Sequence, residues 1–198
     1  MIKSLDFYFD FISPYSYLAY KKIKKLKENE KIKVNYFPIV LGALHNLNGI
    51  KAAAFINAKA KFMIRDCKMV AKKFNINFKF NSYFPINSLY LMRGILVINK
   101  KTIPYYIENF FNAYWEDALN LSDEKIVNQI LVNSKIEIKP FYKNIKQEKI
   151  KNKLKKLTQE AFKKDIFGAP TFVVNKKIFW GQDRLEYAIE EYKESNNF

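Results

Sequence analysis

The first 38 residues read strand, helix, strand, and that order limits the fold more than any other feature of the chain. Residues 3–9, Lys-Ser-Leu-Asp-Phe-Tyr-Phe, have the aromatic density and length of a strand. The pattern breaks at Asp10–Ser16, where Ser13-Pro14 has the form of a helix start. Serine is a favoured N-cap, and proline at the first helical position gives up a hydrogen bond that is not made there anyway. A helix is predicted from Pro14 to Asn29, then a strand from Ile32 to Pro38 in which Ile32, Val34 and Tyr36 alternate. Strand–helix–strand over so short a span implies two parallel strands joined by a right-handed crossover.

The middle of the chain carries a different signal. From Leu41 to about Ile150 the pattern is helical, with helices predicted at Asn57–Phe74, Ser88–Asn99, Thr102–Ala118 and Ser122–Asn133. Ser122-Asp-Glu places acidic residues where a helix start favours them. A lysine-rich amphipathic helix follows at Lys149–Lys164, and Phe167-Gly168-Ala169-Pro170 interrupts it. Strands at Thr171–Val174 and Ile178–Trp180 flank a turn at Asn175–Lys177, and a last helix is predicted at Gln182–Lys193. The predicted fold is α/β, a thioredoxin-like sheet with a large all-helical insertion. Residues 1–40 and 150–198 form the discontinuous thioredoxin-like domain, and 41–149 the helical insertion domain.

Charge narrows the function less than it first suggests. The net charge of +16 comes from 35 Lys+Arg against 19 Asp+Glu, and only Arg65, Arg93 and Arg184 are arginines. Planar arginine is the preferred reader of phosphates and base edges. Its scarcity, beside 20 asparagines, points to a lysine-rich solvated surface and no specific nucleic acid. No run of 18 apolar residues exists to span a membrane. Met1, Ile2 and Lys3 lead straight into strand-like residues without a leader pattern, and Cys67 is the one cysteine, so a cytoplasmic location is expected. His45 is the one histidine, which leaves no histidine cluster for a metal and no serine triad. His45 reads as a loop residue and Cys67 as a packed one; Trp115, Tyr114, Phe110 and Phe111 read as core, and Asn87 and Arg93 as the border of a cleft.

Four motifs carry a resemblance. They are Asp6-Phe-Tyr-Phe-Asp-Phe-Ile-Ser13-Pro14-Tyr15-Ser16-Tyr17, Asn57-Ala-Lys59-Ala-Lys-Phe62, Phe84-Pro-Ile-Asn87, and Phe167-Gly-Ala-Pro170-Thr-Phe with Trp180-Gly-Gln-Asp183-Arg184. Together these resemble the 2-hydroxychromene-2-carboxylate isomerase and kappa-class glutathione transferase family, a branch of the DsbA-like thioredoxin folds. Thioredoxin-like oxidoreductases carry two cysteines at the start of the first helix, where the dipole favours a thiolate. Here that tetrapeptide is Ser13-Pro-Tyr-Ser16, so disulfide exchange is unavailable to this chain. The same helix end can still stabilise a thiolate brought by a ligand.

The resemblance implies glutathione as that ligand. It assigns Ser13 to thiolate stabilisation, with Ser16 as support. A cis Pro170 with the Ala169 backbone receives the cysteinyl part as an added strand would. Backbone donors of Gly181–Arg184, Gln182 among them, suit the γ-glutamyl carboxylate, and Asp183 its ammonium. Asn48 or Asn57 supplies a further contact, and Lys59 approaches the glycyl carboxylate or an acidic substrate. The family often has Asn or Gln where this chain has Ile50. The implied activity is glutathione-dependent isomerisation of a small conjugated aromatic or unsaturated acid. A kappa-class-like transferase and a non-catalytic thioredoxin-like binding module are the alternatives. A homodimer is also implied.

Overall fold

Alternation along the first strand decides how the molecule is layered. In β1 (Leu5–Phe9), Leu5, Phe7 and Phe9 point to one side and are wholly buried, while Tyr8 points to the other. Both faces of this strand are therefore covered, as the aromatic density of the segment requires. The computed structural model describes residues 4–29 and 32–196, so Lys3 of the predicted strand lies outside the described residues.

After β1 come α1 (Pro14–Asn29) and β2 (Val34–Pro38), and β1 and β2 are parallel, with Phe7 opposite Tyr36. Helices α2 (Leu41–Leu47), α3 (Asn57–Lys73), α4 (Leu89–Gly94), α5 (Ile103–Trp115), α6 (Glu124–Asn133), α7 (Ile138–Ile145) and α8 (Glu148–Lys163) follow. The chain returns to the sheet through β3 (Thr171–Val174) and β4 (Lys177–Trp180), then ends in a short 3-10 turn and α9 (Leu185–Asn196). The strand order is β2-β1-β3-β4, with β3 antiparallel to both β1 and β4. This is the thioredoxin-like arrangement the pattern predicted.

The larger core runs without a break from the sheet into the helical block. Phe7 stacks on Phe9 and Phe172, and Phe9 and Phe11 meet Phe111 of α5. Trp115, fully buried, donates its indole N–H to the Phe11 carbonyl at 2.8 Å. Phe110, Phe111 and Tyr114 are also fully buried, as expected. On the opposite face Tyr8, Ile39, Leu44, Ala161 and Ile166 form a smaller core beneath α2 and α8.

Several elements differ from the sequence reading. Predicted as Ser88–Asn99, α4 is only Leu89–Gly94. Its close approach to α5 depends on Gly94, since a Cβ there would overlap the Tyr106 hydroxyl. His45 belongs to α2 and not to a loop, and burial pushes its imidazole pKa down. The last helix begins at Leu185, because Gln182–Arg184 takes a 3-10 turn. Cys67 is buried in α3, with its thiol pKa pushed up chiefly by burial. Among the described residues no helix is long and apolar enough to cross a membrane, and no group of metal-ligating side chains assembles.

Candidate active site

The turn from β1 into α1 meets the turn into β3 at one hydrogen bond. The Ser13 hydroxyl donates to the Ala169 carbonyl at 3.0 Å, joining segments 156 residues apart. The same oxygen accepts the Ser16 amide at 3.1 Å, so Ser13 also caps α1 as its sequence suggested. Ser13, Pro14 and Ser16 are buried, and Ile12, Tyr15 and Ala169 form the partly open rim. At the helix start the Tyr15 amide has no hydrogen-bond partner among the described residues. The buried Ser16 hydroxyl also lacks one.

The Ala169–Pro170 peptide is cis, as predicted; Phe84–Pro85 is cis too, which the sequence reading did not anticipate. The Pro170 carbonyl accepts the Gly181 amide at 2.9 Å, so the β4–α9 turn is tied to the same place. Packing flanks this junction with aromatics: Phe167 and Trp180 lie 4.8 Å apart at their ring centroids, and Trp180 is half exposed. A Cβ on Gly168 would overlap the Trp180 indole nitrogen, so only glycine lets the ring lie there.

Gln182 is positioned by a residue the sequence reading missed. Lys22, buried in α1, donates to the Gln182 side-chain oxygen at 2.9 Å and to its carbonyl at 3.2 Å. The ammonium also lies over the Phe74 ring at 3.8 Å, and burial pushes its pKa down. The Gln182 side chain is thus occupied within the protein. Asp183 is exposed and pairs with Arg184 at 3.1 Å. A lysine in a lysine-rich chain gives no signal of such a role.

Asp10 is the other missed residue. It ends the aromatic strand, is fully buried, and accepts amides from Leu41 at 2.9 Å and Ile12 at 3.2 Å. Burial pushes its carboxyl pKa up against these bonds and one from Ser88. Its bonds hold the β1–α1 turn to the starts of α2 and α4. Tyr15 faces Asp66 and Cys67 of α3, and burial with these two groups pushes its phenol pKa up.

The helical segment contributes less. Asn48 turns its amide back to the Leu44 carbonyl at 2.8 Å, which caps α2. Asn57 and Lys59 are exposed on the first turn of α3, and Ile50, after α2, is exposed too. No hydrogen bond links Asn48, Asn57 or Lys59 to the Ser13–Ala169 junction among the described residues.

The assembled geometry offers a helix N-terminus, a serine hydroxyl and an open backbone edge, with no thiol of its own. That donor set fits a bound thiol. A thiolate beside it would gain hydrogen bonds from the Ser13 hydroxyl and the Tyr15 amide, together with the helix dipole.

Comparison with known proteins gives consistent results. A family model described as a DSBA-like thioredoxin domain matches residues 4–193. The chain is 24% identical over 194 residues to 2-hydroxychromene-2-carboxylate isomerase of Sphingobium xenophagum, covering 97% of this chain and 98% of that one. It is 21% identical over 198 residues to glutathione S-transferase kappa 1 of Rattus norvegicus, covering 92% and 87%. A solved structure of 2-hydroxychromene-2-carboxylate isomerase superimposes with a TM-score of 0.87 at 24% identity, covering 98% of this chain and 97% of that one.

Proposed function

The chain belongs to the DSBA-like thioredoxin domain family, and from that premise we propose that it is a glutathione-dependent isomerase of the 2-hydroxychromene-2-carboxylate isomerase type. One observation carries the reading: Ser13, at the start of α1, reaches the Ala169 carbonyl where an oxidoreductase of this fold would hold a cysteine. The isomerase relative, matched over nearly its whole length, supports it. Glutathione supplies, when bound, a thiolate that adds to and leaves a conjugated carbon of a small aromatic or unsaturated acid.

The protein's own part is to bind, orient and hold charge. Ser13 turns its hydroxyl from Ala169 toward the sulfur, and the Tyr15 amide adds a second donor. A free thiol titrates near ~8.5, so these donors enlarge the thiolate fraction at neutral pH. Ala169 presents its backbone to the cysteinyl portion, and Pro170 is kept in place by Gly181. The amides of Gly181 to Arg184 receive the γ-glutamyl carboxylate and Asp183 its ammonium, with Gln182 contributing through its backbone because Lys22 occupies its side chain. Asn48 or Asn57, and Lys59, approach from the helical segment. Ser13 is not assigned as a covalent nucleophile, since among the described residues its hydroxyl bonds only the Ala169 carbonyl and the Ser16 amide and no basic side chain. The chain works in the cytoplasm as a homodimer on this reading.

The test is calorimetric titration with glutathione, with the ultraviolet absorption of bound thiolate followed in parallel. Wild type is expected to bind and to show thiolate absorption at neutral pH. Ser13→Ala is expected to keep binding within about tenfold while losing most of that absorption. No binding at millimolar glutathione, or an undiminished thiolate signal in the variant, would overturn the reading. The kappa transferase relative supports transfer to an electrophile as a second reading. A free-thiol assay separates the two: constant thiol during turnover supports isomerisation, and thiol lost in step with product supports transfer.

A further inference from the structure

A second cleft lies apart from this junction, between α2, α4 and α8. Its volume is about 550 Å³, within the range of small-molecule sites, and Ser13, Ala169 and Gly181 take no part in its lining. Leu47, Leu89 and Leu154 contribute apolar wall, and Arg93, Lys151 and Lys155 bring three cations. Among the described residues no aspartate or glutamate lines it.

The cations differ in how they are satisfied. Lys151 is paired with Glu148 at 2.6 Å. Arg93 and Lys155 form no ion pair among the described residues. Arg93 Nε is shielded from solvent and has no hydrogen-bond partner among the described residues. Arg93 nevertheless lines the cleft, and a carboxylate is the group that matches a guanidinium's planar fork. An arginine here is also notable in a chain where only three of 35 basic residues are arginines.

We propose that this cleft is a binding site for a small carboxylate with an apolar body, its charge held by Arg93 and Lys155 and its body laid against Leu47, Leu89 and Leu154. The apolar wall and a lining with three cations, of which Glu148 pairs only Lys151 and feels the charge of Arg93 from outside the cleft, together favour an amphipathic monoanion over a neutral ligand or a polyphosphate. The site is separate from the thiol site and does not depend on the function proposed above.

The probes are 2-naphthoate and decanoate, which present the same carboxylate on an aromatic and an alkyl body, with neutral 2-naphthalenemethanol as control. Calorimetric titration is expected to show binding of at least one carboxylate, unaffected by saturating glutathione, and whichever binds identifies the body. The neutral control is expected to bind at least about tenfold more weakly, as is the carboxylate to Arg93→Gln. Arg93→Lys should recover part of the loss. Lys155→Gln, on an exposed turn of α8 where folding is not at stake, should weaken binding by a smaller factor. The proposal is overturned if neither carboxylate binds at millimolar concentration, if the alcohol binds as tightly, if glutathione displaces the probe, or if Arg93→Gln and Lys155→Gln both bind unchanged.

Discussion

Gly181 takes φ 108° and ψ 152°, a conformation that side-chain-bearing residues essentially never adopt. A Cβ there would also press on the Asp183 carboxylate. The glycine places its own amide on the Pro170 carbonyl and starts the turn that carries Gln182 and Asp183. Gly181→Ala is therefore expected to cost about 1–3 kcal/mol of stability, read by urea unfolding, and to weaken glutathione binding at the same time. Unchanged stability and affinity would show that the turn relaxes without strain. Lys22 acts beneath the same turn, and its two bonds to Gln182, the Phe74 ring and the nearby charges of Glu186 and Asp183 explain how a buried ammonium without a direct ion pair is tolerated.

At the scale of elements, Glu116 fastens the end of α5 to α1. Its carboxylate accepts Lys21 Nζ at 3.0 Å and Asn77 Nδ2 at 2.8 Å, with the Tyr17 hydroxyl at 3.3 Å. Burial works to raise its pKa, but the bonds from Asn77, Lys21 and Tyr17 together outweigh it and hold the carboxyl below its ordinary value. A carboxyl depressed in the folded state contributes stability above its unfolded pKa of about 4.3, and the contribution is lost as pH falls through the lower folded value. Glu116→Gln should cost about 1–2 kcal/mol at pH 7, discounted for partial exposure. The gap between variant and wild type should close as pH drops below about 4. A gap constant with pH would assign the effect to packing.

Legibility in the sequence follows the same scale. The bounds of α1 and β3 could be read to the residue, because Ser13-Pro14 and Gly168-Ala169-Pro170 are strong local signals. Helix α7 falls within the stretch read as helical but is not named as a separate helix; it carries Pro140 in its first turn, where a proline removes no helical bond. Helix α5 stops at Trp115, short of its prediction, where the chain turns and Ala118 adopts a positive φ of 55°. The grouping of Ser13 with Ala169 and Pro170 came from the family resemblance, and the Ser13–Ala169 hydrogen bond brings the two segments together. Lys22 and Asp10 were not legible, because a buried role for one lysine among many, or for the acid closing an aromatic strand, is set by distant partners.

For the whole molecule, the question is whether its two parts are independent. We propose that residues 1–40 with 150–198 form the thioredoxin-like part and 41–149 the helical insertion, and that the two unfold as one unit. Phe7, Phe9, Phe11, Phe111 and Trp115 are all fully buried in one core that crosses the boundary, and Trp115 hydrogen-bonds the Phe11 carbonyl across it. Separating the parts would expose that core and leave both partners of the bond unmet, so no intermediate with one part folded should be stable. The two tryptophans allow a test, since Trp115 lies in the insertion and Trp180 on β4. Trp180→Phe leaves fluorescence that reports the insertion, and Trp115→Phe leaves fluorescence that reports the sheet. In each variant the fluorescence and far-ultraviolet circular dichroism transitions in urea should coincide. Trp115→Phe will lower the midpoint through its lost bond and volume, but both signals come from the same variant, so that shift does not enter the comparison. Divergent midpoints in either variant would show that the insertion and the sheet fold separately.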